Sequence, residues 1–151
     1  MHAEGRRRGS KLSPTAKSEH RAGVFALARN DLGIVRCYAD PTAASCRGRL
    51  QAAHWISVQT LKRKHALAVT PPRGLAYPEG PANLAAATLS ELVADPRNGV
   101  PLCEMHHQAF DHHRLSLTPP PSVIDFASEY GLEHLLEPAS ISPSGEERGV
   151  A

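Results

Sequence analysis

The sequence has no run of about 18 apolar residues, which is the length that a membrane-spanning helix needs. Its N-terminus also lacks the apolar stretch that follows the charged start of a secretory signal peptide. These absences argue against a membrane protein and predict a cytoplasmic one. No internal repeat is visible either, which argues against a solenoid or another repeat architecture.

Cysteine is scarce and its number is odd, with three cysteines among 151 residues. Three cysteines cannot all pair within one chain, and a reducing compartment disfavours disulfides. We therefore consider thiolate ligands to a metal first. The alternative is that the cysteines pack as small buried apolar side chains.

The net charge of +2 is too small to indicate a nucleic-acid partner by itself. The distribution is more informative, because residues 1–21 and 36–64 each have six basic residues against two and one acidic residues, and the remainder is net acidic. A basic first half suits a polyanion such as DNA, although a solvated surface is the alternative. The residues that we expect to contact phosphates are Arg47, Arg49, Lys62, Arg63 and Lys64.

The length fits one domain. Low apolar content predicts a disordered basic tail over residues 1–14 and a disordered C-terminal tail over 137–151, with a single domain over 15–136. The residues of Asp95–Gly99 predict a turn within this domain. Apolar periodicity and turn residues predict two strands, over residues 34–37 and 49–56. They also predict five helices, which run from near Thr15 to before Gly33, from Ser57 to Lys64, from Pro81 to Val93, from Glu104 through Asp111, and over 122–136.

Four residues have the types that suit tetrahedral zinc. Cys103 and His106 have the two-residue spacing that lets both side chains reach one ion. Cys37 and Cys46 would complete a structural Cys3His site. The eight residues between them exceed the usual two to four, so a longer loop is required.

A second set of residues follows the order His54, Asn98, His107 along the chain. His107 and Asp111 lie one turn apart on the predicted helix, so an imidazole and a carboxylate can converge on one divalent cation. A surface ion pair is the alternative for two such residues. His20 belongs to no recognisable pattern.

Three segments carry a resemblance: Gln51–Ile56 (QAAHWI), Asp95–Cys103 (DPRNGVPLC) and His106–Asp111 (HHQAFD). Over about residues 36–117 the sequence resembles the HNH nuclease family, and it is most similar to small HNH proteins of bacteria and phages. The resemblance implies an α+β fold, with a ββα-metal (HNH or His-Me finger) core, a structural zinc knuckle and accessory helices.

The resemblance also implies roles for individual residues. His54 would be the general base, and Asn98 would hold the loop that orients it. His107, with Asp111 as a further ligand, would bind the catalytic Mg²⁺ or Mn²⁺. Cys37, Cys46, Cys103 and His106 would bind the accessory Zn²⁺.

The activity that the resemblance implies is endonucleolytic hydrolysis of DNA. Ala53 departs from the family pattern, because many members have a metal-binding Asp or His just before the base. Two other interpretations therefore stay open. One is a zinc-stabilised DNA-binding module without cleavage, and the other is a phage packaging protein that needs a partner such as a terminase or another nuclease subunit. The oligomeric state is open.

Overall fold

The computed structural model describes residues 11–29, 32–69 and 82–136. Within these residues it combines helices with one small sheet. The elements, in chain order, are α1 (Ala16–Ala28), β1 (Leu50–His54), α2 (Val58–Val69), α3 (Ala82–Ala86), α4 (Leu89–Ala94), β2 (Gly99–Cys103), α5 (Glu104–Asp111), α6 (Pro121–Tyr130) and a 3₁₀ helix (Glu133–Leu136).

The sheet consists of β1 and β2, which pair in an antiparallel register from Leu50 opposite Cys103 to His54 opposite Gly99. Helix α5 begins at Glu104, directly after β2. The register therefore places the end of β1 beside the start of β2. The end of β2, where α5 begins, lies beside the start of β1.

One core cluster joins helices α1 to α4 and α6. Side chains from these helices, together with Ile56, pack into a continuous apolar interior in which Leu61, Leu92 and Phe126 are fully buried. Helix α4 begins with a capping box, in which Thr88 Oγ1 accepts the N–H of Glu91 and the Glu91 carboxylate accepts the N–H of Thr88. The short helix α4 is thereby fixed against the core.

A second, smaller cluster includes residues of both strands of the sheet. It contains Cys37, Ala53, Val100, Leu102 and Cys103. The half-buried Trp55 and Phe110 cover it, with their ring centroids 4.9 Å apart. Trp55 is therefore a packing residue of this cluster.

The prediction of a strand over residues 34–37 is wrong, because these residues have no strand pairing in the structure. Tyr38 N–H donates to Pro101 O over 2.7 Å. Pro101 lies in β2 and has no N–H with which to return a hydrogen bond, so a regular ladder cannot form at this edge.

The single helix predicted from Pro81 to Val93 is divided in two. Helix α3 ends at Ala86, and α4 begins after Thr88. The backbone of Thr88 is extended and its side chain accepts the N–H of Glu91, which stops one helix and starts the next. Pro81 itself lies outside the described residues. The helices predicted near Thr15, from Ser57 and from Glu104 are confirmed, with changes of boundary. The single helix predicted over 122–136 is wrong in its second half, because α6 ends at Tyr130, where Gly131 adopts the left-handed conformation, and a separate 3₁₀ helix follows.

Residues 1–10 and 137–151 of the two predicted tails lie outside the described residues. Within the predicted N-terminal tail of residues 1–14, Leu12 packs against the larger core cluster and Ser13 N–H donates to Ser90 Oγ over 2.7 Å, so this end of the segment packs on the domain. In the described part of the chain, no helix is both long and apolar enough to span a membrane.

Candidate active site and metal cluster

The side chains of Cys37, Cys46, Cys103 and His106 meet between the loop before β1 and the start of α5. Their four ligand atoms all lie within 4.8 Å of one another. His106 Nδ1 is 3.5, 3.8 and 3.1 Å from the sulfurs of Cys37, Cys46 and Cys103. Tetrahedral zinc separates a nitrogen and a sulfur ligand by about 3.5 Å when its bonds have their usual lengths. The donor set and its spacing therefore fit zinc.

Backbone N–H groups point at the sulfurs of this cluster. Cys103 Sγ accepts from His106 N and Arg47 N, each over 3.4 Å, and Cys37 Sγ accepts from Cys103 N over 3.5 Å. Burial raises the pKa of the Cys103 thiol, but hydrogen bonds from the backbone N–H groups of His106 and Arg47, together with those from the Cys46 and His106 side chains, bring its pKa down to about 7. Burial raises the pKa of Cys46. The Cys103 thiol therefore ionises more readily than the Cys46 thiol.

The long loop between Cys37 and Cys46 is organised by Asp40. Its carboxylate accepts hydrogen bonds from the backbone N–H and hydroxyl of both Thr42 and Ser45, over 2.6 to 3.2 Å. Ser45 donates most strongly, and these bonds hold the pKa of Asp40 well below its usual range. Ser45 Oγ also lies 3.4 Å from His106 Nε2.

The chain of contacts from Asp40 through Ser45 to His106 orients the imidazole, because His106 Nε2–H can donate to Ser45 when Nδ1 acts as the ligand. Sequence reasoning did not identify Asp40 or Ser45. The Asp-Pro-Thr turn signal at residues 40–42 is the feature that could have indicated them.

His54 ends β1, and its ring is fixed by helix α4. Its Nε2 lies 2.9 Å from Val93 O, a carbonyl in the last turn of α4, where backbone oxygens have no partner within the helix. Because a carbonyl can only accept, Nε2 carries the proton, and Nδ1 of the neutral ring has a free lone pair. Burial lowers the pKa of His54 to about 4. The ring is therefore neutral at pH 7.

Asn98 is fully buried in the turn before β2. Its Oδ1 accepts the N–H of Ile56 over 2.8 Å, and its Nδ2 donates to Ile56 O over 2.9 Å. Its own backbone oxygen accepts the N–H of Trp55 over 3.4 Å. Asn98 therefore fixes the two residues that follow His54.

The side chain of His20, on α1, contacts both His54 and Asn98. Its ring stacks on that of His54, with centroids 3.5 Å apart and planes 9° from parallel. Its Nε2 donates to Asn98 O over 2.9 Å, and burial lowers its pKa. No sequence pattern identifies this residue, because its position depends on how α1 packs against the sheet.

His107 and Asp111 lie one turn apart on α5. His107 Nδ1 is 2.7 Å from Gln51 Oε1 on β1, and His107 Nε2 is 3.2 Å from Asp111 Oδ2. Donation from Nδ1 to Gln51 leaves the Nε2 lone pair facing a carboxylate oxygen, an arrangement that either a proton or a metal cation stabilises. His107 is close enough to His54 to lower its pKa. These two donors fit part of a divalent-metal shell, which water and phosphate oxygens would complete.

Ala53 occupies the position before His54 where the family resemblance leads us to expect a metal ligand. Its side chain is fully buried in the apolar cluster with Val100 and Leu102, where an unpaired carboxylate would be costly. The departure from the family pattern therefore has a packing explanation.

The basic residues predicted to contact phosphates occupy two places. Arg47 and Arg49 are exposed in the loop that leads from Cys46 into β1. On α2, Lys62 and Arg63 are exposed and Lys64 is half-buried.

Comparison with known proteins agrees with this geometry. The family model described as HNH endonuclease matches residues 34–118, more than half of the chain. This segment contains β1, β2, α5, the four residues of the metal cluster, and His54, Asn98, His107 and Asp111. No curated protein and no solved structure matches the chain. The extent of the family match shows that the chain belongs to the HNH endonuclease family.

Proposed function

We propose that the protein is an endonuclease that hydrolyses DNA phosphodiester bonds at a site between His54 and His107. The family consists of nucleases that use divalent metals, and its substrate is DNA. We further propose that β1, β2 and α5 are the ββα-metal core. The observation that carries the proposal is the neutral His54 ring, whose Nε2 bonds to Val93 O and whose Nδ1 lone pair is free to accept a proton.

In the proposed reaction His54 Nδ1 takes a proton from a water molecule, and the oxygen of that water forms a bond to phosphorus. The bond from phosphorus to the 3′ oxygen then breaks, which leaves a 5′-phosphate and a 3′-hydroxyl once the leaving oxygen gains a proton. An anionic phosphate close to the ring favours its protonated form, so substrate raises the low pKa of His54 toward the range that suits a base.

His107 and Asp111 would hold the catalytic divalent cation, Mg²⁺ or Mn²⁺, with Gln51 orienting His107. When bound, such a cation supplies positive charge that stabilises the phosphorane and the leaving oxygen. Cys37, Cys46, Cys103 and His106 would hold Zn²⁺ in a structural role, because a full set of four protein ligands leaves no open position.

Asn98 acts in this proposal as a positioning residue. It does not touch the reacting atoms, but its hydrogen bonds to Ile56 fix the chain directly after His54. Arg47, Arg49, Lys62, Arg63 and Lys64 would contact the DNA backbone, where each neutralised phosphate releases counterions.

A zinc-stabilised DNA-binding module is the second candidate, and Ala53 favours it. This residue supplies no ligand, which leaves His107 and Asp111 as the two protein ligands in the proposed metal shell. Such a module would bind DNA and zinc without cutting.

Plasmid relaxation and linearisation separate the two candidates. Purified zinc-loaded protein is incubated with supercoiled DNA in Mg²⁺, in Mn²⁺ or in EDTA, and His107→Ala serves as the variant. Nicking that needs a divalent metal and disappears in His107→Ala supports the endonuclease. DNA binding without cleavage in any metal supports the binding module.

A further inference from the structure

We propose that His20 is a positioning residue for His54, so that helix α1 contributes to the active site. His20 lies before residues 34–118, the segment that the family model matches, and it faces both His54 and Asn98. The inference rests on the proposed function, because it gives His20 a purpose only if His54 is the base.

The contact between the two rings is close and flat. Their centroids are 3.5 Å apart and their planes differ by 9°, so the ring of His20 covers one face of the His54 imidazole. His20 is only 1% exposed, which leaves its ring little freedom to move. With Val93 O holding Nε2 and His20 covering one face, the ring of His54 is restrained in both its rotation and its tilt.

The same side chain links the base to Asn98. His20 Nε2 donates to Asn98 O, while the Asn98 side-chain amide binds Ile56. His20 therefore contacts the base directly and also contacts the residue that fixes the chain after it. A displacement of His20 would affect both contacts.

Two glycines allow α1 to come this close. A Cβ at Gly99 would lie 2.7 Å from His20 Nε2 and 2.7 Å from Val24 Cγ2, and a Cβ at Gly23 would lie 2.6 Å from Pro96 Cβ. No side chain fits at either position without moving α1. The glycine of the Asn98-Gly99 turn thus serves the approach of His20 to the site.

A purely structural role is the alternative, and His65 provides the comparison. It is also 1% exposed and also bonds a backbone carbonyl, with Nε2 2.7 Å from Ala87 O. His65 lies on α2 and bonds to the segment after α3, and its carbonyl partner does not belong to the proposed active site. His65→Gln is therefore a matched control for the loss of a buried histidine.

Two substitutions separate the functions of His20. His20→Gln keeps a donor for Asn98 O but removes the ring, whereas His20→Phe keeps a ring against His54 but removes the donor. We expect His20→Gln to lower kcat by roughly 10- to 100-fold with little change in KM, the loss expected when a reacting group is misplaced by about 1 Å. We expect the kcat of His20→Phe to lie within about 3-fold of wild type, because the new ring still covers His54. The His20→Phe protein should nevertheless be less stable than wild type, because Asn98 O loses its donor.

The assay uses full-length zinc-loaded protein under conditions in which every variant is folded. The proposal is overturned if kcat falls in proportion to the loss of stability in all three variants, His20→Gln, His20→Phe and His65→Gln. It is also overturned if His20→Gln cuts at the wild-type rate. Should His20→Gln not fold, His20→Phe decides, because a kcat below a tenth of wild type with the ring retained contradicts the proposal.

A second readout does not depend on cleavage. The ring protons of His54, observed by NMR, lie in the ring current of His20, so His20→Gln should shift them and His65→Gln should not. Unchanged His54 shifts in His20→Gln would overturn the positioning role. If wild type does not cut DNA but these shifts move as expected, the proposed function fails while the contact between His20 and His54 stands.

Discussion

The side-chain amide of Asn98 makes hydrogen bonds to both the N–H and the carbonyl of Ile56, so one buried residue satisfies the backbone of the chain that follows His54 and β1. We expect Asn98→Ala to lower the free energy of unfolding by about 2 to 4 kcal/mol, because it leaves two buried backbone groups without partners. Cleavage should also fall, since His54 lies two residues before Ile56.

Urea denaturation of the zinc-loaded protein checks this first prediction. Asn98→Asp is the informative companion, because it keeps an acceptor for Ile56 N–H but places an oxygen against Ile56 O. Wild-type stability in Asn98→Ala would show that the two hydrogen bonds do not hold this segment.

Zinc binding at the proposed Cys3His site should be sensitive to the residues that support the site. Because Ser45 joins Asp40 to His106, we expect Ser45→Ala to weaken zinc binding by roughly 10- to 100-fold, as is usual for residues that orient a ligand. Competition with a chromogenic chelator measures the affinity. Trp55 is the one tryptophan of the chain, and its fluorescence reports on the smaller apolar cluster, which includes Cys37 and Cys103.

Ser57→Ala is the control for the zinc experiment. Ser57 Oγ accepts the N–H of Thr60 at the start of α2 and does not belong to the metal cluster. Equal zinc affinity in wild type and Ser45→Ala would contradict the orienting role of Ser45.

Stability should fall in mild acid partly because of His54. The unfolded chain binds a proton at this residue near pH 6.5, whereas the folded chain excludes it until about pH 4. Between these values the unfolded state binds more protons, so the free energy of unfolding falls as the pH falls. At about 1.36 kcal/mol per pKa unit, the contribution of His54 is at most about 3 kcal/mol, and it is fully retained above pH 6.5.

Denaturation of wild type and His54→Gln between pH 7.5 and 4.5 isolates this contribution, because the remaining groups titrate in both proteins. We expect a smaller loss of stability in the variant. The same loss in both proteins would mean that the folded chain does not exclude the proton.

The exposed basic residues of α2 should set part of the salt dependence of DNA binding. We expect Lys62→Gln and Arg63→Gln each to weaken binding at low salt and to reduce the slope of log K against log salt by about 1. Fluorescence anisotropy with duplex DNA over a range of salt concentrations measures the slope. An unchanged slope would identify this part of α2 as a solvated surface.

More of the candidate site residues than of their supporting hydrogen bonds could be predicted from the sequence. The two-residue spacing of Cys103 and His106 and the one-turn spacing of His107 and Asp111 indicate neighbours, because helix geometry fixes them locally. Cys37 and Cys46 could be proposed from their residue types, but not the Asp40 hydrogen bonds that make an eight-residue loop compatible with one site. Those bonds depend on the folded turn.

The contact of His20, on α1, with His54 could not be predicted from the sequence. His20 is 34 residues before His54, and its position depends on the close approach of α1 to the sheet at Gly99. The missing strand over residues 34–37 has a similar cause, since Pro101 removes a hydrogen-bond donor from the neighbouring edge. Pairings between distant segments are set by tertiary packing, which local patterns do not encode.

The central claim is that the neutral ring of His54 activates water for DNA cleavage. Single-turnover cleavage of a labelled duplex in Mg²⁺ or Mn²⁺ tests it, with wild type, His54→Ala and the control His65→Gln at equal zinc content. The account predicts that His54→Ala reduces the rate by at least about 100-fold while zinc and DNA binding are retained, and that His65→Gln cuts at close to the wild-type rate. Cleavage by His54→Ala at the wild-type rate would contradict it.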